Sequence, residues 1–387
     1  MIRRILIGRA LRGFADGFIA VVLPAYLLAL GLGILEVGII STATLLGSAL
    51  TTLAVGRWGH RFHIRRLMLA AALLMAATGL GFAGFSSFWP LLVVAAVGTL
   101  NPSSGDASVF MPLDHTMLAT ASDRTAVFSR YTFVGSMAGA LGALGSGLPE
   151  WTGISLRAMF VLYALVGLAV WLLYLGLPDP RVEEKPAAPL GPSRGIVWRL
   201  AALFSIDSFA GGLVLNSLLA LWLFQRFGMS LAGAGTFFFW TGLLSACSQL
   251  AAGPLARRIG MVNTMVFTHI PSSLCLIGAA LANSFELVLA LLLLRSLLSQ
   301  MDVPARGAFV MTVVTPAERP AAASFTAVPR SLAAALSPTL TGAMFAAGAM
   351  AAPLIACGVL KIAYDIALFA AFRRVEARRA DEGLTTN

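Results

Sequence analysis

Charge is what this 387-residue sequence lacks most: Asp, Glu, Lys and Arg make up 11% of it, while 58% is hydrophobic. An ordinary soluble domain carries about 25% charged residues. A soluble enzyme, a nucleic-acid-binding protein and a disordered scaffold are therefore excluded. Cysteine is scarce too. Cys247, Cys275 and Cys357 sit far apart in apolar stretches with no Cys-x-x-Cys or Cys/His spacing. They read as small apolar residues, and no metal site is expected. No phosphate-cradling Gly-rich loop ending in Lys-Ser/Thr is present, which excludes an ATP-driven pump encoded in this chain. No His-Glu-x-x-His occurs, and the longest polar stretch, residues 178–195, leaves no room for a separate catalytic module. Neither an enzymatic activity nor a cofactor is expected.

What is present is apolar helix. A bilayer core of about 30 Å needs about 20 apolar residues per helix. Cutting at charges, Gly/Pro clusters and polar breaks gives twelve spans. They cover residues 5–31, 35–56, 67–85, 88–119, 122–147, 154–177, 197–226, 229–252, 261–283, 287–315, 321–346 and 352–373. The start is basic and then apolar for longer than the ~7–15 residues of a signal-peptide core. It reads as the first span with its N-terminus inside. Alternating twelve spans from there puts 18 of the 27 Lys and Arg residues on the inside and two, Arg157 and Arg226, on the outside. That split follows the rule that cytoplasmic loops are positive, so both termini are expected in the cytoplasm of a multi-pass protein of the cell (inner) membrane. The fold class read from this is all-α and polytopic, and the lipid bilayer is its first partner.

The Pro- and charge-rich stretch divides the chain into residues 1–177 with six spans, a cytoplasmic linker at 178–196, residues 197–373 with six more, and a cytoplasmic tail at 374–387. The halves are weakly self-similar. LGLGILEVG at 30–38 lies over QRFGMSLAG at 225–233 with a shift of 195, and Asp123-Arg124 lies over Glu318-Arg319 with the same shift. Asp106 and Asp302 fall within one residue of equivalence, and Arg130 and Arg330 lie at similar depths in spans five and eleven. Each half has a basic loop after its second span, GRWGHRFHIRR at 56–66 and GPLARRIG at 253–260. Such a repeat is a known plan for carriers.

Ionisable residues inside spans are costly and default to a functional or paired role. The acids are Asp16, Asp106, Asp114, Asp207, Asp302 and Asp365; the bases are Arg9, Arg12, Arg130, Arg295, Arg306, Arg330 and Lys361, joined by His115 and His269. Their near balance permits mutual pairing and does not reveal the charge of a ligand. Asp16, Asp106 and Asp302 lie near the middle of spans one, four and ten, and Asp207 lies nearer the cytoplasm in span seven. These four are the candidates for proton coupling or for lining a substrate cavity, against the plainer reading of static helix–helix salt bridges. Arg12, Arg130, Arg295 and Arg330 are the candidate cavity or gate cations. His269 is a candidate proton carrier, against a plain hydrogen-bonding role. Arg12/Asp16 and Lys361/Asp365 have the i,i+4 spacing of intrahelical pairs. Asp114 and His115 read as loop-facing and solvated. Asn101-Pro102 and Pro304 predict local breaks in spans four and ten.

Six spans plus six, a central cytoplasmic linker and a basic loop between spans two and three resemble the major facilitator superfamily, over essentially the whole chain. Arg57, Gly59 and Arg61, with Arg65 and Arg66, follow its loop pattern, although Gly56 stands where the family has Asp. Gly253, Arg257, Arg258 and Gly260 form the second copy. Gly135, Gly139, Gly142 and Gly145 in span five resemble the glycine-rich fifth helix of the family's antiporters, without its Gly-Pro pair. The resemblance implies two pseudo-symmetric six-helix bundles, a cavity lined by spans one, four, seven and ten, alternating access and a monomer. It implies proton-coupled export of a small organic compound or toxic ion. Import or uniport of a nutrient such as an organic acid, sugar or inorganic anion is the first alternative. A lipid-handling or sensory membrane protein without solute flux is the second. Few Asn and Gln lie in the spans, which counts against sugars.

Overall fold

The computed structural model describes residues 1–103, 108–118, 124–178, 190–315 and 318–384. Asp106 and the linker residues 179–189 lie outside them. Among the described residues there is helix and no strand. The first half contributes α1 (Ile2–Ala29), α2 (Ile34–Trp58), α3 (Ile64–Gly84), α4 (Phe88–Val97), α5 (Phe110–Leu118), α6 (Arg124–Gly145), α7 (Leu148–Thr152) and α8 (Leu156–Tyr174). The second contributes α9 (Arg194–Gly212), α10 (Asn216–Phe227), α11 (Leu231–Ile259), α12 (Met261–Leu281), α13 (Phe285–Leu298), α14 (Asp302–Val313), α15 (Arg319–Ala346) and α16 (Ala352–Leu384).

Nine of the twelve expected spans are long and apolar enough, among the described residues, to cross a membrane. The other three fall on α4–α5, α6 and α15. Span four is divided into short helices, and α6 and α15 are built largely from Gly, Ala, Ser and Thr rather than Leu. The chain is an all-α, polytopic membrane protein, and twelve spans account for its helices. Backbone helix continues to Leu384, past the expected end of span twelve.

Spans four, seven and ten are each broken. In span four, Asn101 Oδ1 accepts from Ser103 N–H at 3.1 Å and from its hydroxyl at 2.7 Å, a local turn that competes with helix. Span seven breaks after Gly211-Gly212, a break that the sequence did not single out. Span ten restarts at Asp302, and Pro304 lies in the first turn of α14, where a missing N–H costs no helical bond.

The helices form two compact units. Unit 1 comprises Met1–Glu184, Val214–Leu243 and Ala335–Met350; unit 2 comprises Lys185–Leu213, Leu244–Ala334 and Ala351–Asn387. In unit 1, α1 packs on α6 and α8, and α3 packs on α8. A Cβ at Gly17 of α1 would overlap the Gly139 carbonyl of α6, and one at Gly142 would overlap the Phe14 carbonyl. The glycine stripe of span five therefore lets two backbones touch. In unit 2, α12 packs on α13, α14 and α16, and α16 packs on α9. Val197, Leu200, Phe204, Val262, Met265, Phe309, Tyr364 and Phe372 form its apolar core.

Candidate functional site

The core of unit 2 contains a network of charge. Asp207 of α9 is 4% exposed, so both its oxygens need partners. Oδ1 accepts from Lys361 Nζ of α16 at 2.6 Å, and Oδ2 accepts from Arg306 Nη2 of α14 at 2.8 Å. The same guanidinium nitrogen also pairs with Asp302, four residues back on α14. His269 of α12 lies beside them, with Nδ1 3.1 Å from both oxygens of Asp365 and Nε2 3.3 Å from Lys361 Nζ. Arg330 of α15 donates Nε–H to Ser208 at 3.2 Å, next to Asp207. The Arg306 guanidinium stands 5.2 Å from the Phe204 ring. Lys361 and Asp365 share a helix and the i,i+4 spacing, yet they take different partners: Asp207 and His269.

Unit 1 holds a second network. Arg12 of α1 donates to Asp114 of α5 and to the Tyr174 hydroxyl of α8. Tyr131 of α6 donates to the same Asp114 oxygen at 2.8 Å. The Arg12 guanidinium also stands 4.2 Å from the Phe110 ring. Asp114 is fully buried, not loop-facing as the sequence had implied, and its Oδ1 makes no hydrogen bond among the described residues. A buried acceptor left open in this way is an exception that calls for a reason. Four helices thus converge on one ion pair.

The structure joins Asp207, Asp302, His269 and Arg330 of the expected site. It adds Arg306, Lys361 and Asp365, and in the other unit Asp114, Tyr131 and Tyr174. Asp16 is buried on α1 within electrostatic reach of Tyr163. Arg130 is exposed on α6, while its neighbour Tyr131 turns inward. Arg295 of α13 faces the thiols of Cys275 and Cys357. No cluster of three or more metal-ligating side chains occurs among the described residues.

In the loop motifs, Arg57, Arg61, Gly253, Arg257 and Arg258 are exposed, and Gly59 lies in a short 3-10 turn. Gly260 joins α11 to α12 with φ of +91°, a conformation a side chain would strain. The segment Gly191-Pro-Ser193-Arg-Gly195 spells the Gly-x-Ser-x-Gly of hydrolase elbows. The Ser193 hydroxyl donates to the Glu318 carboxylate at 2.7 Å, whereas a serine nucleophile donates to a histidine base.

The chain matches the family model described as Major Facilitator Superfamily over residues 5–282 and 200–385. It is 23% identical over 416 residues to an uncharacterized membrane protein of Saccharomyces cerevisiae, YJR124C, covering 95% of this chain and 93% of the yeast protein. Among solved structures, the nucleoside transporter NupG superposes with a TM-score of 0.75 at 15% identity, covering 96% of this chain and 98% of that one. The human organic anion transporter MFSD10 gives 0.67 at 18% identity, with 95% and 98% covered. A bacterial homologue of the human lysosomal transporter Spinster gives 0.71 at 17% identity, with 98% and 96% covered. At these identities the structures establish a shared fold, and the match to the family model establishes descent. The six-plus-six order of spans thus has its explanation: this chain belongs to the Major Facilitator Superfamily and is a membrane transporter.

Proposed function

We propose that the protein is a proton-coupled secondary transporter of a small organic solute, working by alternating access as a monomer in the cell (inner) membrane. The observation that carries this reading is His269, held inside unit 2 between Asp365 and the Lys361–Asp207–Arg306 network. Histidine changes charge in the physiological range. Here the ring stands among charged groups whose pairing would depend on a proton it carries. Asp207 and Asp302 are the coupling carboxylates of this network, and Arg330 is its outlying cation. The relatives of similar fold, named for nucleosides and organic anions, support a solute of that size.

The sequence pointed to export through the glycines of span five. Those glycines have a packing role against α1, so the direction is read from an assay. Proteoliposomes with an entrapped pH-sensitive dye would be challenged with nucleosides, organic acids, amines, dyes and drugs. A solute-evoked pH change that disappears in Asp207→Asn is the expected result, and its sign gives the direction. Solute flux that persists unchanged after a proton ionophore is added would replace coupling with uniport. Absence of flux for every solute would favour a sensory or lipid-handling role.

A further inference from the structure

The two ring nitrogens of His269 face opposite kinds of partner. Nδ1 meets the Asp365 carboxylate, and Nε2 meets the Lys361 ammonium at 3.3 Å. An ammonium has no lone pair, so Lys361 donates and Nε2 accepts. The ring proton therefore sits on Nδ1 and points at Asp365. Asp207 Oδ1, which holds Lys361 at 2.6 Å, is also 3.9 Å from Nε2.

We propose that a proton arriving at Nε2 exchanges the partner of Asp207 Oδ1, from Lys361 to His269, and that the released ammonium binds the anionic group of the transported solute. This rests on the proton-coupled reading above and gives it a solute class. A doubly protonated ring has no acceptor left to offer Lys361 and repels it. The new Nε2–H has Asp207 Oδ1 at 3.9 Å, about one ångström beyond hydrogen-bond length. Arg306 keeps Asp207 in place by holding Oδ2. The Lys361 side chain is the most exposed of those in these ion pairs, at 12% against at most 7%.

The charge balance gives the sign of the coupling. With a neutral ring, Asp207, Asp302 and Asp365 stand against Arg306, Arg330 and Lys361. A proton on His269 leaves one positive charge in excess, and a buried excess is relieved by an anion. The groups facing the ring are Asp365, Lys361 and Tyr364 from α16 and Asp207 from α9, with Arg306 and Asp302 of α14 behind Asp207. Arg295 of α13 faces Cys275 and Cys357 instead, and its charge is the same in both states. Proton and organic anion then bind together and move in the same direction.

The chain has only two lysines, Lys185 and Lys361, so protein grown on lysine carbon-13 labelled at Cε gives two side-chain signals. Lys185→Arg identifies the Lys361 signal. In nanodiscs, the expected result is a shift of that signal between two positions as pH falls from about 8 to about 5, the range of histidine. The shift should be absent in His269→Gln and in His269→Asn. An invariant Lys361 signal in the wild type, or the same shift in a folded His269 variant, overturns the exchange. Acetate, lactate, benzoate and citrate are then compared with matched amines. At least one carboxylate should perturb the Lys361 signal at low pH and not at high pH. Perturbation by amines, or by no carboxylate, overturns the anion assignment. The titration requires no flux, so a failed exchange is distinguishable from a failed transport reading.

Discussion

Arg12 and Asp207 are separated by 195 residues, the shift that relates the two halves of the sequence. Arg12 pairs with Asp114, and Asp207 pairs with Arg306. Equivalent positions on the first helix of each half thus carry opposite charges, and each meets its complement from the fourth span of its own half. Removing one member of a buried pair leaves the other uncompensated, at a cost of about 3–5 kcal/mol. Arg12→Leu should therefore lower the melting temperature in detergent markedly, and Arg12→Leu/Asp114→Leu should recover much of the loss. If Arg12→Leu melts with the wild type, the pair does not hold α1 to α5. Sequence reasoning found the charged residues but not their partners. The i,i+4 rule drew attention to Lys361 with Asp365, whereas burial sends each to a different helix. The same rule fits Asp302 and Arg306, which do pair. Asp114 was misjudged because it lies near the expected end of its span, where depth alone does not distinguish cavity from loop.

At the scale of helices, the spans were legible because the bilayer imposes their length and apolarity. The breaks were legible where proline or asparagine marked them, and not in span seven, where only Gly211-Gly212 signals one. The glycines of α6 show how one signal serves two readings, since a motif and a packing stripe look alike in sequence. Gly17→Val should separate α1 from α6, with an overpacking cost of about 1–3 kcal/mol or more. Gly84→Ala, whose Cβ would meet nothing within 4 Å, is the control that should melt as the wild type. Thermal unfolding of both variants in one detergent checks this, and equal melting would show that α1 and α6 have slack. A second element-scale contact joins the segment before α9 to the loop before α15. Thr315 and Ser193 hydroxyls and the Gly191 N–H donate to the Glu318 carboxylate and hold its pKa down to about 2. A depressed carboxyl contributes its stabilisation above the ordinary glutamate pKa and loses it as pH falls through the depressed value. Exchange protection of the Gly191 amide should therefore fall between about pH 4.5 and about pH 2, after correction for intrinsic rate. Glu318→Ala should lack that protection throughout, and protection that is flat with pH in the wild type would remove Glu318 from the account.

Over the whole molecule, the division by packing does not follow the division by sequence. Unit 1 takes in residues 214–243 and 335–350 from the second half; α10 packs on α1, and specific short contacts add to it. Glu150 accepts from the Leu231 and Ala232 N–H groups at 2.6 and 2.9 Å, which places a carboxylate on the N-terminus of α11. The Thr339 hydroxyl bonds the Thr42 hydroxyl at 2.8 Å, and a Cβ at Gly38 would meet the Pro338 carbonyl at 2.6 Å. These contacts lie at the starts of α2 and α11, the opposite ends from the basic loops at Arg57–Arg66 and Arg257–Arg258. A carrier that alternates must release such contacts in part of its cycle, so each should be weak alone. A carboxylate at a helix N-terminus is worth about 0.3–1 kcal/mol, a two- to fivefold change in an opening equilibrium. Glu150→Ala should raise the labelling rate of Thr339→Cys by a membrane-impermeant maleimide by about that factor. Glu150→Gln, which keeps one acceptor oxygen for the two N–H groups, should fall between the two. If Glu150→Ala leaves labelling unchanged, the bond from the backbone N–H of residue 339 to Thr42 and the close approach at Gly38 hold these segments by themselves. If labelling rises by orders of magnitude, Glu150 is the dominant clasp, and the carboxylate at the start of α11 holds these segments more tightly than a helix-terminal charge alone accounts for.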